Sequence, residues 1–159
     1  MHSSEIEETP EGMVWTIPAS KSKNGQAFEV MAPRQAAEII RRRLETRATW
    51  VFPSRDPKKP IDQKVLGVET WKYSPDCPNS RYEGIRTCPV GDWVPHDLRR
   101  TARTGLAKLG CPHEVAEACL NHTLAGVAGV YNRHQFSAEK RHWLQAWADH
   151  IANVSGGKA

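Results

Sequence analysis

The chain has 159 residues, 39% of them apolar and 25% charged, which suits one globular domain with a buried core. Lys and Arg number 22 against 18 Asp and Glu, giving a formal charge of +4, an excess that permits nucleic-acid binding without establishing it. No run approaches the roughly 18 apolar residues of a membrane span, and no apolar signal region opens the chain.

Residues 1–12, "MHSSEIEETPEG", read as a loose polar leader. "MVWTI" (13–17) and "AFEVM" (27–31) read as two strands of a β-hairpin. Asn24-Gly25 between them suits a tight two-residue turn, since both residues tolerate positive φ. That turn would carry Lys21 and Lys23 near the hairpin tip.

Residues 33–46 read as a helix with Ala36, Ala37, Ile40 and Leu44 on one face and Arg41 to Arg43 mainly on others. "WVFPS" (50–54) suits a short strand, and 53–60 a Pro- and charge-rich loop. Residues 61–74 suit a short helix weakened by Gly67, and 75–93 an irregular surface insertion with two cysteines.

From Pro95 the pattern is helical. One helix runs to a C′ glycine at Gly110, and a second, from Pro112 to His122, has Val115, Ala116 and Cys119 on one face. "AGVAGVYNRH" (125–134) reads as a glycine-softened helix or turn. A last helix starts at Ser137 as N-cap and carries the stripe Leu144, Trp147, Ala148 and Ile151, before a flexible tail over 153–159. The fold class expected is α+β, mainly α, with a small antiparallel hairpin or sheet at one side of a helical body over 33–152.

The four cysteines, Cys77, Cys88, Cys111 and Cys119, include no C-x-x-C pair. Free thiols are expected, and no metal site: Cys77, Cys88, Cys111 and His113 form a conceivable ligand set with the wrong spacing for zinc. "HEVAE" (113–117) lacks the second histidine of a zinc-protease helix and reads as ordinary helix surface.

The helix over 95–109 carries the first chemical signal. At 100° per residue Leu98, Ala102, Gly105, Leu106 and Leu109 share a core-facing stripe. His96, Arg99 and Arg103 form a second stripe. Arg99 and Arg103 are one turn apart and repel by about 0.2–0.5 kcal/mol unless an anion answers them. Asp97 lies on another face, so the economical partner is an anion from outside the chain. A guanidinium fork suits two phosphate oxygens, and a histidine in the same turn can donate a hydrogen bond or carry a proton. Taken singly, so short a pattern is better explained by a solvated basic face.

Further candidates are His122 in "CLNHT" and Tyr131 in "GVYNRH", nine residues later. A phenol is a weak nucleophile near neutral pH and needs cations around the phosphate it attacks. Each also has a plain structural reading: His122 as a helix-capping residue, Tyr131 as core, Lys23 as a solvated hairpin lysine.

The ordered set "WTIPASKSKNG", "VPHDLRRTARTGLAKLG", "EVAEACLNHT" and "GVYNRH" resembles the tyrosine recombinases, specifically the prophage-type integrases, over most of the chain. The resemblance implies the C-terminal part of an integrase catalytic domain, with Tyr131 attacking a DNA phosphate to form a 3′-phosphotyrosyl link. It assigns Arg99 to the non-bridging oxygens, His96 to hydrogen bonding or proton transfer, and His122 to the same phosphate. Lys23 would protonate the leaving 5′-oxygen, with Lys21 as second choice. Arg100, Arg103 and Lys21 are candidates for further phosphate contact. No metal or other cofactor is implied. The implied partners are double-stranded DNA of attachment-site type and other integrase protomers, as a tetramer on DNA, in the bacterial cytoplasm and away from membranes.

The family also has an earlier catalytic arginine, and no arginine precedes Arg34 here. The chain therefore looks cut just downstream of that motif, with weak or no activity by itself expected. The rival readings are a non-catalytic fragment that binds DNA or an integrase, and a basic helix-turn-helix binder using "CPHEVAEACLNH" as its recognition helix.

Overall fold

A computed structural model describes residues 1–45, 49–72, 93–122 and 136–156. Among these, three strands form one antiparallel sheet in the order β1 (Ile6–Thr9), β2 (Gly12–Ile17), β3 (Phe28–Met31). Five α-helices follow: α1 (Arg34–Leu44), α2 (Gln63–Lys72), α3 (Pro95–Lys108), α4 (His113–Cys119) and α5 (Ser137–Val154). The expected class, mainly helical α+β with a small sheet, is the observed one.

The leader is not loose. Residues 3–5 make a 3-10 turn, and β1 pairs along β2 with Ile6 opposite Trp15 and Thr9 opposite Gly12. The tight two-residue turn of the sheet is therefore Pro10-Glu11, not Asn24-Gly25. The acidic residues of β1 mask its alternation, but Ile6 and Met1 pack against a cluster of Met13, Ala37, Ile40 and Val51. Polar ties hold the segment too. Glu5 accepts hydrogen bonds from the His2 backbone N–H at 3.0 Å, from Trp15 Nε1 at 3.2 Å and from Lys21.

The β2–β3 link is longer than a hairpin turn. Ile17 pairs with Phe28, and the connection passes through a 3-10 turn over Ala19–Lys21 before Gly25 takes φ +67°. "WVFPS" forms no full strand; it contributes single bridges, His2 to Trp50 and Pro53 to Pro60. The insertion expected at 75–93 lies almost wholly outside the described residues.

α1 buries Ala37 and Ile40 and leaves Arg41 to Arg43 exposed, following its apolar period. α3 and α4 build a second cluster from Leu106, Cys111, Val115, Ala116 and Cys119, closed by Phe136, Trp143, Leu144 and Trp147. Burial pushes the Cys119 thiol up to about 11, so it is packing, not a nucleophile. α5 contacts α1, α3, α4 and β3 and thereby joins the two clusters. Its N-terminal turn starts from Phe136 at φ +50°, so Ser137 is the first helical residue and not the N-cap.

Two residues depart from the expected stripes. Leu98 is 63% and Ile151 47% exposed. They sit at the ends of α3 and α5, where the helices flank an open groove also lined by Trp147 and Val154. The close contact lies further along α3. There Gly105 faces Trp147 so tightly that a Cβ would fall 2.1 Å from the indole ring. Among the described residues no helix is long and apolar enough to cross a membrane.

Candidate active site

α3 begins with Pro95 in its first turn, and the Asp97 carboxylate accepts from the Val94 N–H at 3.0 Å. That bond holds Asp97 below the usual carboxylate range. His96 is exposed on this turn, and Arg99 follows it by three residues on the same side. The Arg99 guanidinium is half-buried and donates through Nη2 to the backbone carbonyl of Leu120. This bond carries Arg99 across to the C-terminal end of α4.

That end has a defined geometry. Asn121 takes φ +53°, its N–H bonds the Ala118 carbonyl at 3.2 Å, and the His122 N–H returns to the Glu117 carbonyl at 3.0 Å. This is the paired 5→2 and 6→1 bonding of a Schellman motif, with asparagine in the left-handed position. His122 thus lies just outside the helix and is brought back beside its last turn. α3 ends the same way, with Gly110 at φ +91°, Gly110 N–H to Ala107 at 3.0 Å and Cys111 N–H to Leu106 at 3.0 Å.

The His122 ring meets Glu117. Its Nδ1 lies 2.6 Å from Oε2, while Oε1 of the same carboxylate accepts from Arg103 Nε at 2.5 Å. Arg103 also reaches His113 Nδ1 at 2.8 Å. Burial would raise the Glu117 acid, but Arg103 and His122 more than offset it and hold the group below the usual range. Glu117 is therefore the anion for Arg103, and the fold itself supplies it. The expectation that both Arg99 and Arg103 await an outside anion fails for Arg103, which Glu117 pairs, whereas Arg99 is oriented by a carbonyl and has no acidic partner among the described residues. Reading 113–117 as plain helix surface misses this carboxylate. Its signal was the spacing Glu-x4-His across a helix end.

The hairpin connection reaches the same place. Asn24 Nδ2 donates to Asn121 Oδ1 at 3.4 Å. Between them opens a cleft of 250 Å³ lined by Thr16, Asn24, Gln26, Asn121, His122 and Lys140, among others. Lys23 is exposed one residue from that bond, with no hydrogen-bond or ion-pair partner among the described residues. Lys140 closes the cleft floor. It is 4% exposed, donates to the Glu29 carbonyl at 3.1 Å and lies over the Phe28 ring, and its burial lowers its proton affinity.

The remaining candidates are not gathered there. Lys21 is tied to Glu5 and sits over Trp50, 5.5 Å from the ring centroid. Arg100 pairs with Asp97 at 3.0 Å and lines the α3–α5 groove. Tyr131 lies outside the described residues. So Arg99, His122, Glu117 and the Lys23 loop converge on one helix end, with His96 a turn away. Among the described residues no group of three or more His, Cys, Asp or Glu side chains is placed to hold a metal ion.

The chain is 28% identical over 148 residues to prophage integrase IntA of Escherichia coli (strain K12), covering 90% of this chain and 32% of that protein. It is 27% identical over 146 residues to prophage integrase IntZ of the same organism, covering 89% and 33%. The chain thus spans about a third of the length of these relatives. No solved structure gives a significant match. The family model described as the phage integrase family matches residues 7–138, from β1 into the first turn of α5, and the chain belongs to that family.

Proposed function

We propose that this chain is the C-terminal part of an integrase catalytic domain that breaks and rejoins DNA through Tyr131. The Tyr131 oxygen attacks a backbone phosphorus, the bond to the 5′-oxygen breaks, and a 3′-phosphotyrosyl ester replaces the phosphodiester. The phenol gives up its proton, and Lys23 delivers one to the departing 5′-oxygen. A second 5′-hydroxyl reverses the exchange, so the covalent link conserves the ester bond and no external energy source enters. Arg99 holds the non-bridging oxygens, and His96 and His122 hydrogen-bond the same group as charge builds. Double-stranded DNA of attachment-site type and further integrase protomers, up to a tetramer, are the partners.

The observation that supports this best is the Arg99 to Leu120 bond, which brings the guanidinium to the turn that presents His122. Arg100 and Lys21, held by Asp97 and Glu5, serve as peripheral phosphate contacts when DNA competes for them. Arg103 has less freedom to do so.

A nicked DNA whose 5′-hydroxyl fragment diffuses away accumulates any phosphotyrosyl adduct. A low yield from the wild-type polypeptide, abolished by Tyr131→Phe and by Arg99→Ala, is expected. Binding of DNA or of a longer integrase, with Tyr131→Phe changing nothing, would favour a non-catalytic role.

A further inference from the structure

α3 and α4 both end in a Schellman motif. In this motif the residue two past the C-cap lies against the residue three before it, and that pair is ordinarily apolar. At the end of α3 the pair is Leu106 and Cys111, both buried in one cluster. At the end of α4 the equivalent pair is Glu117 and His122, and it is polar. A carboxylate and an imidazole occupy the position that at the end of α3 serves packing.

The hydrogen-bond roles follow from the chemistry of the groups. An ionised carboxylate only accepts, so the His122 Nδ1 at 2.6 Å must be the donor. A guanidinium only donates, so Arg103 at 2.5 Å fills the other carboxylate oxygen and stops Glu117 from rotating away. The Glu117 side chain is 17% exposed, which limits exchange with water. The opposite nitrogen, Nε2, has no hydrogen-bond partner among the described residues, and the His122 side chain is 42% exposed.

We propose that Glu117, clamped by Arg103, is a positioning residue that fixes the His122 ring with Nδ1 protonated and Nε2 facing the reacting phosphate. A neutral His122 then offers a lone pair outward, and a charged one offers an N–H. Without the carboxylate, the ring would turn freely and favour a proton on Nε2. The role of His122 at a phosphate rests on the recombinase reading; the ring orientation does not.

The test uses the 159-residue polypeptide with 15N-labelled histidine, at a pH alkaline enough to leave the imidazoles neutral. Long-range proton–nitrogen correlations report the tautomer, and His122→Gln assigns the signals. Wild type should show His122 protonated on Nδ1, Glu117→Gln should keep that form through its amide oxygen, and Glu117→Ala should move it toward Nε2. A wild-type His122 protonated on Nε2 overturns the proposal with no variant needed, as does a tautomer indifferent to Glu117→Ala. On nicked DNA, Glu117→Ala should lower adduct yield about 10-fold or more, as lost ring-orienting partners commonly do, with no further loss in a His122→Ala background. Full cleavage by a Glu117→Ala chain with an altered tautomer overturns the positioning role. Absence of any tyrosine adduct from wild type, with the expected tautomer, counts against the recombinase reading while supporting the Glu117 orientation.

Discussion

The Arg99 guanidinium donates to the carbonyl of Leu120, two residues before His122. One planar cation therefore spans from α3 to the turn that ends α4. A lysine at 99 would place a point charge nearby without the two-pronged geometry. Arg99→Lys is expected to fold normally and to lose about 10²–10³-fold in phosphotyrosyl adduct formation. Adduct yield on nicked DNA, normalised to binding, measures it.

Asn121 makes the presentation of His122 depend on backbone conformation. Its φ of +53° is accessible to Asn and Gly and strained for other side chains. Asn121→Gly is expected to keep stability close to wild type while losing the hydrogen bond from Asn24. Asn121→Ala should cost about 1–2 kcal/mol. Denaturant unfolding of the two variants separates strain from the lost side-chain contact.

Gly105 sets the approach of α3 to α5. A methyl group there would meet the Trp147 ring at 2.1 Å, and that ring is packed against the α3–α4 cluster. Alanine favours helix over glycine by about 1 kcal/mol, but the overlap should dominate. Gly105→Ala is expected to destabilise by about 1–3 kcal/mol, read as a lower Tm, whereas Gly67→Ala, which meets nothing within 4 Å, should not.

Glu5 ties the first residues to the sheet and should leave a signature in acid. Burial would raise its pKa, but hydrogen bonds from the His2 N–H, Lys21 and Trp15 outweigh burial and hold it at about 2, against 4.5 for a free glutamate. A depressed folded-state pKa means stabilisation that is complete above about 4.5 and lost as pH falls toward 2. Glu5→Gln should therefore be less stable than wild type at neutral pH, with the gap closing between those limits. Thermal melts across that range check it.

The helices were legible because apolar residues at helical spacing, Pro at helix starts and Gly110 at a helix end are local signals. Ala37, Ile40, Val115, Ala116 and Cys119 are buried as that spacing requires. β1 was not legible, since "IEET" shows no alternation and its order depends on partners elsewhere, including the Ser3 N–H to Thr49 carbonyl bond. The Asn24-Gly25 signal correctly marked a positive φ but the wrong turn, because Pro10-Glu11 closes the tighter pair of strands. At the site, the spacing of His96, Arg99, His122 and Tyr131 is visible in the sequence. It did not reveal Glu117, whose meaning depends on a helix end folding His122 back and on Arg103 arriving from another helix.

In the proposed reaction Tyr131 attacks a phosphate whose charge is held by Arg99 and its neighbours. Replacing one non-bridging oxygen by methyl removes the phosphate charge and so lowers the demand for cations. The direct measurement is adduct yield on a pool of nicked, randomised duplexes carrying either a phosphate or a methylphosphonate at the cleavage position. A much larger Tyr131 adduct is expected on the methylphosphonate, absent in Tyr131→Phe. No adduct on either DNA, or an adduct that survives Tyr131→Phe, would contradict it.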